Sequence, residues 1–174
     1  MDLALAQARK AAALGEVPVG CVIVRDGAVI GEGYNRRETD RTVLGHAELM
    51  AIRQAEQAVG DWRLSDCTLY VTLEPCPMCA GAMIQARIPR VVFGARDEKF
   101  GACGSVCDLF GMKFNHHPAM EEGLMAEEAK ELMREFFQDL RVTLRTRPKW
   151  RSSKPSPAGE GGPGAARDGC GGDT

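Results

Sequence analysis

Apolar and polar positions along this chain change period several times, and the changes divide it into elements. Residues 3–14 form an Ala/Leu-rich pattern of helical spacing that stops at Gly15. Short apolar runs follow. Gly20–Val24 reads as a strand and Ala28–Tyr34 as its return strand. Asp26-Gly27 between them is a hairpin signal, because both residues accept the backbone of a two-residue turn. A helical stretch is expected over about 46–58, a third strand over Cys67–Thr72, and a helix from Pro77 to about Ala86. Pro89 breaks the chain before a fourth strand, Arg90–Gly94. Residues 104–113 have no clear period, and Phe114–Met120 is expected as a short fifth strand. Met125, Ala129, Leu132, Met133, Phe136, Phe137 and Leu140 fall at helical spacing. They predict a long amphipathic helix over 122–146 whose stripe is core. Strand–helix–strand units of this kind imply an α/β sandwich with its site at the C-terminal ends of the strands.

Composition sets the organisation. The 174 residues are expected to form one domain over 1–151, followed by a disordered tail over 152–174 that is rich in Gly, Pro and Ser and has no apolar period. No apolar run approaches the roughly 18 residues of a membrane span, and Met1-Asp2-Leu3-Ala4 does not open a signal peptide. Seven cysteines, an odd number, point to a reducing compartment and a cytoplasmic protein. Cys21, Cys67 and Cys170 are expected as free thiols, the first two buried on strands. The net charge of −2 hides an asymmetry, because six basic residues and no acidic one lie between Arg141 and Lys154. That strip fits a polyanion partner; the alternative is a solubilising helix end.

The chemistry concentrates in two segments, His46-Ala47-Glu48 and Pro75-Cys76-Pro77-Met78-Cys79. Together they match H-x-E…P-C-x-x-C, a signature of zinc-dependent nucleobase deamination. A catalytic zinc typically keeps three protein ligands and an open position for water. His46, Cys76 and Cys79 are the ligand candidates. Zinc lowers the pKa of its water to about 7. Two thiolates make it a weaker Lewis acid than three imidazoles would, so a nearby proton acceptor matters, and Glu48 is the candidate. Pro77 fits the first turn of a helix, which would put both sulfurs at a helix N-terminus where thiolates are favoured. His46 opens the other helix, so two N-termini would converge on one metal. A purely structural zinc would need a fourth ligand, for which Cys103 and Cys107 are available, but Glu48 would then have no purpose. A C-x-x-C alone also occurs in redox sites. His116 and His117 read as surface or strand residues, since the ligand set is complete without them.

Longer stretches carry a resemblance. They are Gly15-Glu16-Val17-Pro18-Val19-Gly20, Gly31-Glu32-Gly33-Tyr34-Asn35-Arg36, the His46–Glu48 segment, Leu69 through Met83, and Arg90-Val91-Val92-Phe93-Gly94-Ala95-Arg96-Asp97. Over about residues 3–145 the chain resembles the bacterial tRNA-specific adenosine deaminases. The resemblance implies the cytidine-deaminase-like fold, a three-layer α/β/α sandwich around a mixed central sheet of about five strands. It implies hydrolysis of adenosine to inosine at the wobble position of a tRNA anticodon stem-loop. It also implies a homodimer with one Zn2+ per subunit and no organic cofactor. By the same resemblance Asn35 would hydrogen-bond the flipped base, with a plain loop residue as the alternative. Arg96 and Asp97 would contact RNA, with a surface ion pair as the alternative. Cys103 and Cys107 depart from the family pattern and are expected to pack as small hydrophobes rather than approach the metal or form a redox pair. Two other functions share these motifs. A free-base or nucleoside deaminase would use every zinc residue, but the basic strip and the Val92–Asp97 match oppose it. A zinc-stabilised RNA-binding module without catalysis is opposed by Glu48. Removing residues 152–174 is expected to leave deaminase activity largely intact, measured as inosine formed in an anticodon stem-loop; a large loss would show that the tail takes part in binding.

Overall fold

A computed structural model of the chain describes residues 1–146. The expected tail, and the basic positions from Arg147 to Lys154, lie outside the described residues. The elements in chain order are α1 (Asp2–Ala13), β1 (Gly20–Arg25), β2 (Ala28–Tyr34), α2 (Arg37–Asp40), α3 (Ala47–Val59), β3 (Cys67–Leu73), α4 (Pro77–Gln85), β4 (Arg90–Ala95), β5 (Ala119–Glu122) and α5 (Ala126–Thr146). Asp26 and Gly27 both have positive φ, at 51° and 76°, and Arg25 pairs with Ala28, so the hairpin closes through the expected two-residue turn.

The five strands lie in the order β2-β1-β3-β4-β5. β1 is antiparallel to both β2 and β3, while β3, β4 and β5 run parallel. This mixed sheet lies between helices α3 and α4 on one face and α1 and α5 on the other, the three-layer sandwich expected. Alternate strand residues supply the larger core: Cys21 and Ile23 of β1, Leu69 and Val71 of β3, and Val91 and Phe93 of β4 pack with α3 and α4.

One packing contact sets the position of everything near the site. Ala47, Ala51 and Ala55 recur every four residues on α3, making a smooth stripe. Beneath it β2 carries Gly31 and Gly33. A Cβ on Gly33 would lie 2.0 Å from the carbonyl oxygen of Ala47, and one on Gly31 would lie 2.3 Å from that of Ala51. The helix backbone therefore rests directly on the strand, and the residue before Ala47 is His46.

Two expectations shift. The fifth strand is not Phe114–Met120 but Ala119–Glu122. The rings of His116 and His117 are held against the carbonyl oxygens of Ile88 (2.7 Å) and Phe110 (3.0 Å), and Pro118 has no N–H to give a ladder. Parallel pairing begins only after it, at Arg90 with Ala119. The last helix starts at Ala126 rather than 122, after the strand and a turn through Gly123–Met125. Its stripe is not all core. Ala129 is buried, and Met125, Leu132, Met133 and Phe136 are half-buried, but Phe137 and Leu140 are 39% and 38% exposed. The helix packs on β4, β3 and α1 through its first turns and then runs past the short edge strand, where no layer among the described residues covers it.

Gly33→Ala is expected to destabilise the protein by about 1–3 kcal/mol or more, because the methyl group meets helix backbone rather than a movable side chain. Urea unfolding measures this, and a change within about 0.5 kcal/mol would show that α3 lifts freely.

Candidate functional site

The topology brings five chain segments to one edge of the sheet. β3 and β4 are parallel, so both end there. β1 is antiparallel to β3 and starts there, and β2 ends there, with Gly20 paired to Tyr34. Val19, Asn35, Cys76, Arg96 and Gly123 follow or precede these strand ends and line a single groove of about 1510 Å³. Ligands of open α/β sheets bind at such an edge.

His46 is the N-cap of α3 and Cys76 the N-cap of α4, with Pro77 in the first turn. The expected convergence of two helix N-termini is present. The His46 Nδ1 atom lies 3.6 Å from Cys76 Sγ and 3.5 Å from Cys79 Sγ. The ligand atoms of these three residues all lie within 4.8 Å of one another, a group able to hold a metal ion. Cys103 and Cys107 are not part of it. Cys103 is buried in the core, where burial first, and then nearby carboxylates, push its thiol up to about 12, and Cys107 packs half-buried beside it. Both sit as small hydrophobes. Cys21 and Cys67 are free and buried on strands, as expected.

Electrostatics within the group favour a preformed thiolate. The hydrogen bond from Cys79 holds the Cys76 thiol down to about 4, against the penalty of burial, and His46 adds to the effect. The same bond, together with burial, pushes Cys79 up. His46 is raised, first by its hydrogen bond with Cys76. Glu48 lies in the first turn of α3, is 4% exposed, and lines the groove beside His46. Burial pushes its carboxyl above the ordinary range.

Asn35 follows β2 directly, gives its backbone N–H to the Val19 carbonyl (3.1 Å), and lines the groove with Glu48. Arg96 and Asp97 lie across from it at the end of β4. They do not form an ion pair with each other: Arg96 pairs with Glu122 at 2.5 Å, while Asp97 Oδ1 accepts the backbone N–H groups of Lys99 (2.9 Å) and Phe100 (3.2 Å). The far wall is α5, through Lys130, Met133, Arg134, Phe137 and Arg141. Arg141 thus joins the first residue of the basic strip to the groove.

The MafB19-like deaminase family matches residues 1–141. The tRNA-specific adenosine deaminase of Streptococcus pyogenes serotype M18 (strain MGAS8232) is 45% identical over 139 residues, 79% of this chain and 87% of that protein. This chain belongs to the tRNA-specific adenosine deaminase family. Like the rest of that family it is an enzyme, a hydrolytic deaminase. A solved structure from a study of A-to-I editing by tRNA deaminases at the wobble position of transfer RNA is 46% identical. It covers 76% of this chain and 96% of its own, with a TM-score of 0.73. A guanine deaminase from Nitrosomonas europaea is 24% identical, with a TM-score of 0.63 over 78% of this chain and 81% of its own, a likeness of fold alone.

Two residues with structural roles at this family site were not picked out by motif. Glu16 and Glu74 are 1% and 2% exposed, and both line the groove. The Glu16 carboxylate accepts the N–H groups of Glu38 (3.2 Å) and Thr39 (2.6 Å), clamping α2 beside His46. The Glu74 carboxylate accepts N–H groups from Asp97 (3.0 Å), Cys103 (3.0 Å) and Ser105 (3.1 Å), and the hydroxyl of Ser105. It staples the loop after β4 to the strand end that delivers Cys76. The signal available in sequence was a lone carboxylate inside an apolar stretch, Gly15-Glu16-Val17 and Leu73-Glu74-Pro75. Apart from the Ser105 hydroxyl, its donors are backbone groups, which no residue pattern names.

Burial opposes ionisation of Glu16, but the hydrogen bonds from Thr39 and Glu38 outweigh it and lower its pKa. A lowered value means stability that is complete above the ordinary glutamate pKa of about 4.3 and lost as pH falls through the folded-state value. Glu16→Gln is expected to cost about 1–3 kcal/mol at pH 7. The gap from the parent protein should narrow below about pH 4. Urea unfolding across pH 3–7 checks this; a gap independent of pH would show that the charge is not what holds α2.

Proposed function

We propose that this enzyme hydrolyses adenosine to inosine and ammonia at the wobble position of a tRNA anticodon stem-loop, with one zinc ion per subunit. The observation that carries the reading is the His46–Cys76–Cys79 group beside a buried Glu48 in a groove that continues along α5 to Arg141. The donor set fits zinc. A tetrahedral ion with Zn–S near 2.3 Å and Zn–N near 2.05 Å separates its sulfur and nitrogen ligands by about 3.6 Å. The nitrogen–sulfur distances here are 3.5 and 3.6 Å. When bound, zinc supplies Lewis-acid activation of water at neutral pH.

The residues of the chain do the rest. Glu48 takes a proton from the attacking water as oxygen bonds to C6 of adenine and gives it to the ring nitrogen, then takes the proton left on that oxygen and gives it to the amine, which departs as ammonia. A carboxyl raised by burial suits both transfers, because it accepts and releases protons closer to neutral pH than an exposed one. Asn35 offers an amide that both donates and accepts to the edge of the base. Arg96 and Asp97 shape the loop that meets the RNA, Arg96 by its charge and Asp97 by capping its own turn. The anticodon loop already presents unpaired bases, so extruding one into the groove costs less than it would from a duplex.

A free-base deaminase is the competing assignment, and groove size favours the polymer. Sites for drug-sized ligands run to about 300–1,000 Å³. This groove is larger, and its far wall carries Lys130, Arg134 and Arg141. We place the enzyme in the cytoplasm, with its buried free thiols, and read it as a homodimer. No helix among the described residues is long and apolar enough to cross a membrane.

The test offers the purified protein an anticodon stem-loop with adenosine at the wobble position, alongside free adenosine, guanine, cytosine and cytidine, with mass spectrometry of each product. Inosine is expected in the stem-loop alone; turnover of a free base or nucleoside would move the enzyme to salvage. Glu48→Gln should keep zinc, by elemental analysis, and RNA binding, while turnover falls by about 10²–10⁴. Survival of more than a few per cent would rule out Glu48 as the proton carrier.

A further inference from the structure

Extruding the adenosine leaves a problem for the nucleotide beside it, which loses a stacking partner. The groove holds an aromatic side chain that the mechanism does not use. Phe100 lies on the loop after β4, lines the same groove as His46, Glu48 and Cys76, and is 66% exposed. A single exposed apolar residue is ordinary on a protein surface, so exposure alone decides nothing. Its mounting is the informative feature.

The turn beneath the ring is fixed by several hydrogen bonds. Asp97 Oδ1 accepts the N–H of Phe100 itself (3.2 Å), and the Asp97 carbonyl accepts that of Gly101 (2.8 Å). Asp97 N–H is held by Glu74 (3.0 Å), and Ala102 N–H by the Pro75 carbonyl (2.8 Å). Gly101 lies flush on the Glu74 carboxyl group, where a Cβ would come within 2.3 Å of its carbon. The turn is thus braced on Glu74 and Pro75, the two residues immediately before Cys76. An exposed ring whose backbone is anchored to the metal-binding segment starts from a fixed position, so less entropy is lost when a ligand covers it. Arg96 and Lys99 line the groove on the same turn. Aromatic faces with cations alongside are how proteins hold single-stranded nucleic acid.

We propose that Phe100 is a stacking platform for a nucleotide adjoining the extruded adenosine, and so a determinant of RNA affinity. The inference rests on the wobble-adenosine reading and adds to it a contact that reads stacking strength rather than hydrogen-bond pattern.

The test measures binding of the full-length, zinc-loaded Glu48→Gln protein to a fluorescently labelled anticodon stem-loop, and KM and kcat in the chain with Glu48 intact. Phe100→Ala should weaken binding by roughly fivefold to a hundredfold, the range for one base–aromatic stack. In turnover the loss should be carried by KM rather than kcat. Phe100→Trp should restore affinity, and Phe100→Leu, apolar but not flat, should not. The slope of log affinity against log salt should stay the same in Phe100→Ala and fall by about one in Lys99→Ala, since only the latter removes a cation. An abasic residue at one of the two positions adjoining the adenosine should weaken the parent and add nothing to Phe100→Ala. The proposal is overturned if Phe100→Ala binds within twofold of its parent, if Trp and Leu behave alike, or if abasic penalties add in full at both adjoining positions. Failure of the wobble reading is separately visible, because the Glu48-containing chain would then form no inosine in the stem-loop.

Discussion

The close approach of α3 to β2 governs the site. Ala47, Ala51 and Ala55 meet Gly31 and Gly33 with no side chain between them, which draws the N-terminus of α3 onto the sheet edge. The N-terminus of α4 reaches the same edge because β3 ends there and Pro77 starts a helix at once. His46 and the two cysteines thereby fall into a spacing that one tetrahedral ion can span. A bulkier residue at either glycine would displace one ligand relative to the other two, and a metal site tolerates such displacement poorly.

Three carboxylates are buried around this edge, and their different surroundings give them different work. Burial opposes ionisation of both Glu16 and Glu74, but hydrogen bonds outweigh it, from the backbone of Thr39 and Glu38 at Glu16 and from the Ser105 hydroxyl with three backbone N–H groups at Glu74, so each is a lowered carboxylate holding a loop. At Glu48 burial prevails and the pKa rises. Burial disfavours the charged form at Glu48, whereas the lowered carboxyls are held as anions that staple their loops. The two stapled segments, α2 and the turn after β4, form walls of the groove on either side of Glu48.

The last helix supplies the remaining wall. Its apolar stripe has the period of a core helix, yet past the four-residue edge strand Phe137 and Leu140 are exposed among the described residues. Met133 and Phe137 are therefore groove residues alongside Lys130, Arg134 and Arg141. The same helix is buried at Ala129 and lines the groove two turns later, at Phe137.

Much was legible in the chain because it depended on local chemistry. The Asp26-Gly27 turn, the period of the first three strands, Pro77 in the first turn of a helix, and the H-x-E and C-x-x-C segments all follow from residue types at fixed separations. Those segments also marked His46, Cys76, Cys79 and Glu48 as one site, since metal chemistry restricts the donors so tightly. What depended on distant partners was not legible. The fifth strand moved to Ala119–Glu122 because two histidine rings found carbonyls 28 and 7 residues away. The stripe of α5 was read as core because periodicity records which face is apolar, and not whether another layer covers it. The roles of Glu16 and Glu74 were invisible because backbone N–H groups, which every residue but proline carries, hold them in place. Sequence by itself determined the donors and the local elements; tertiary structure decided which surfaces are covered and in which direction each buried carboxyl is shifted, because both depend on neighbours brought together only when the sheet closes.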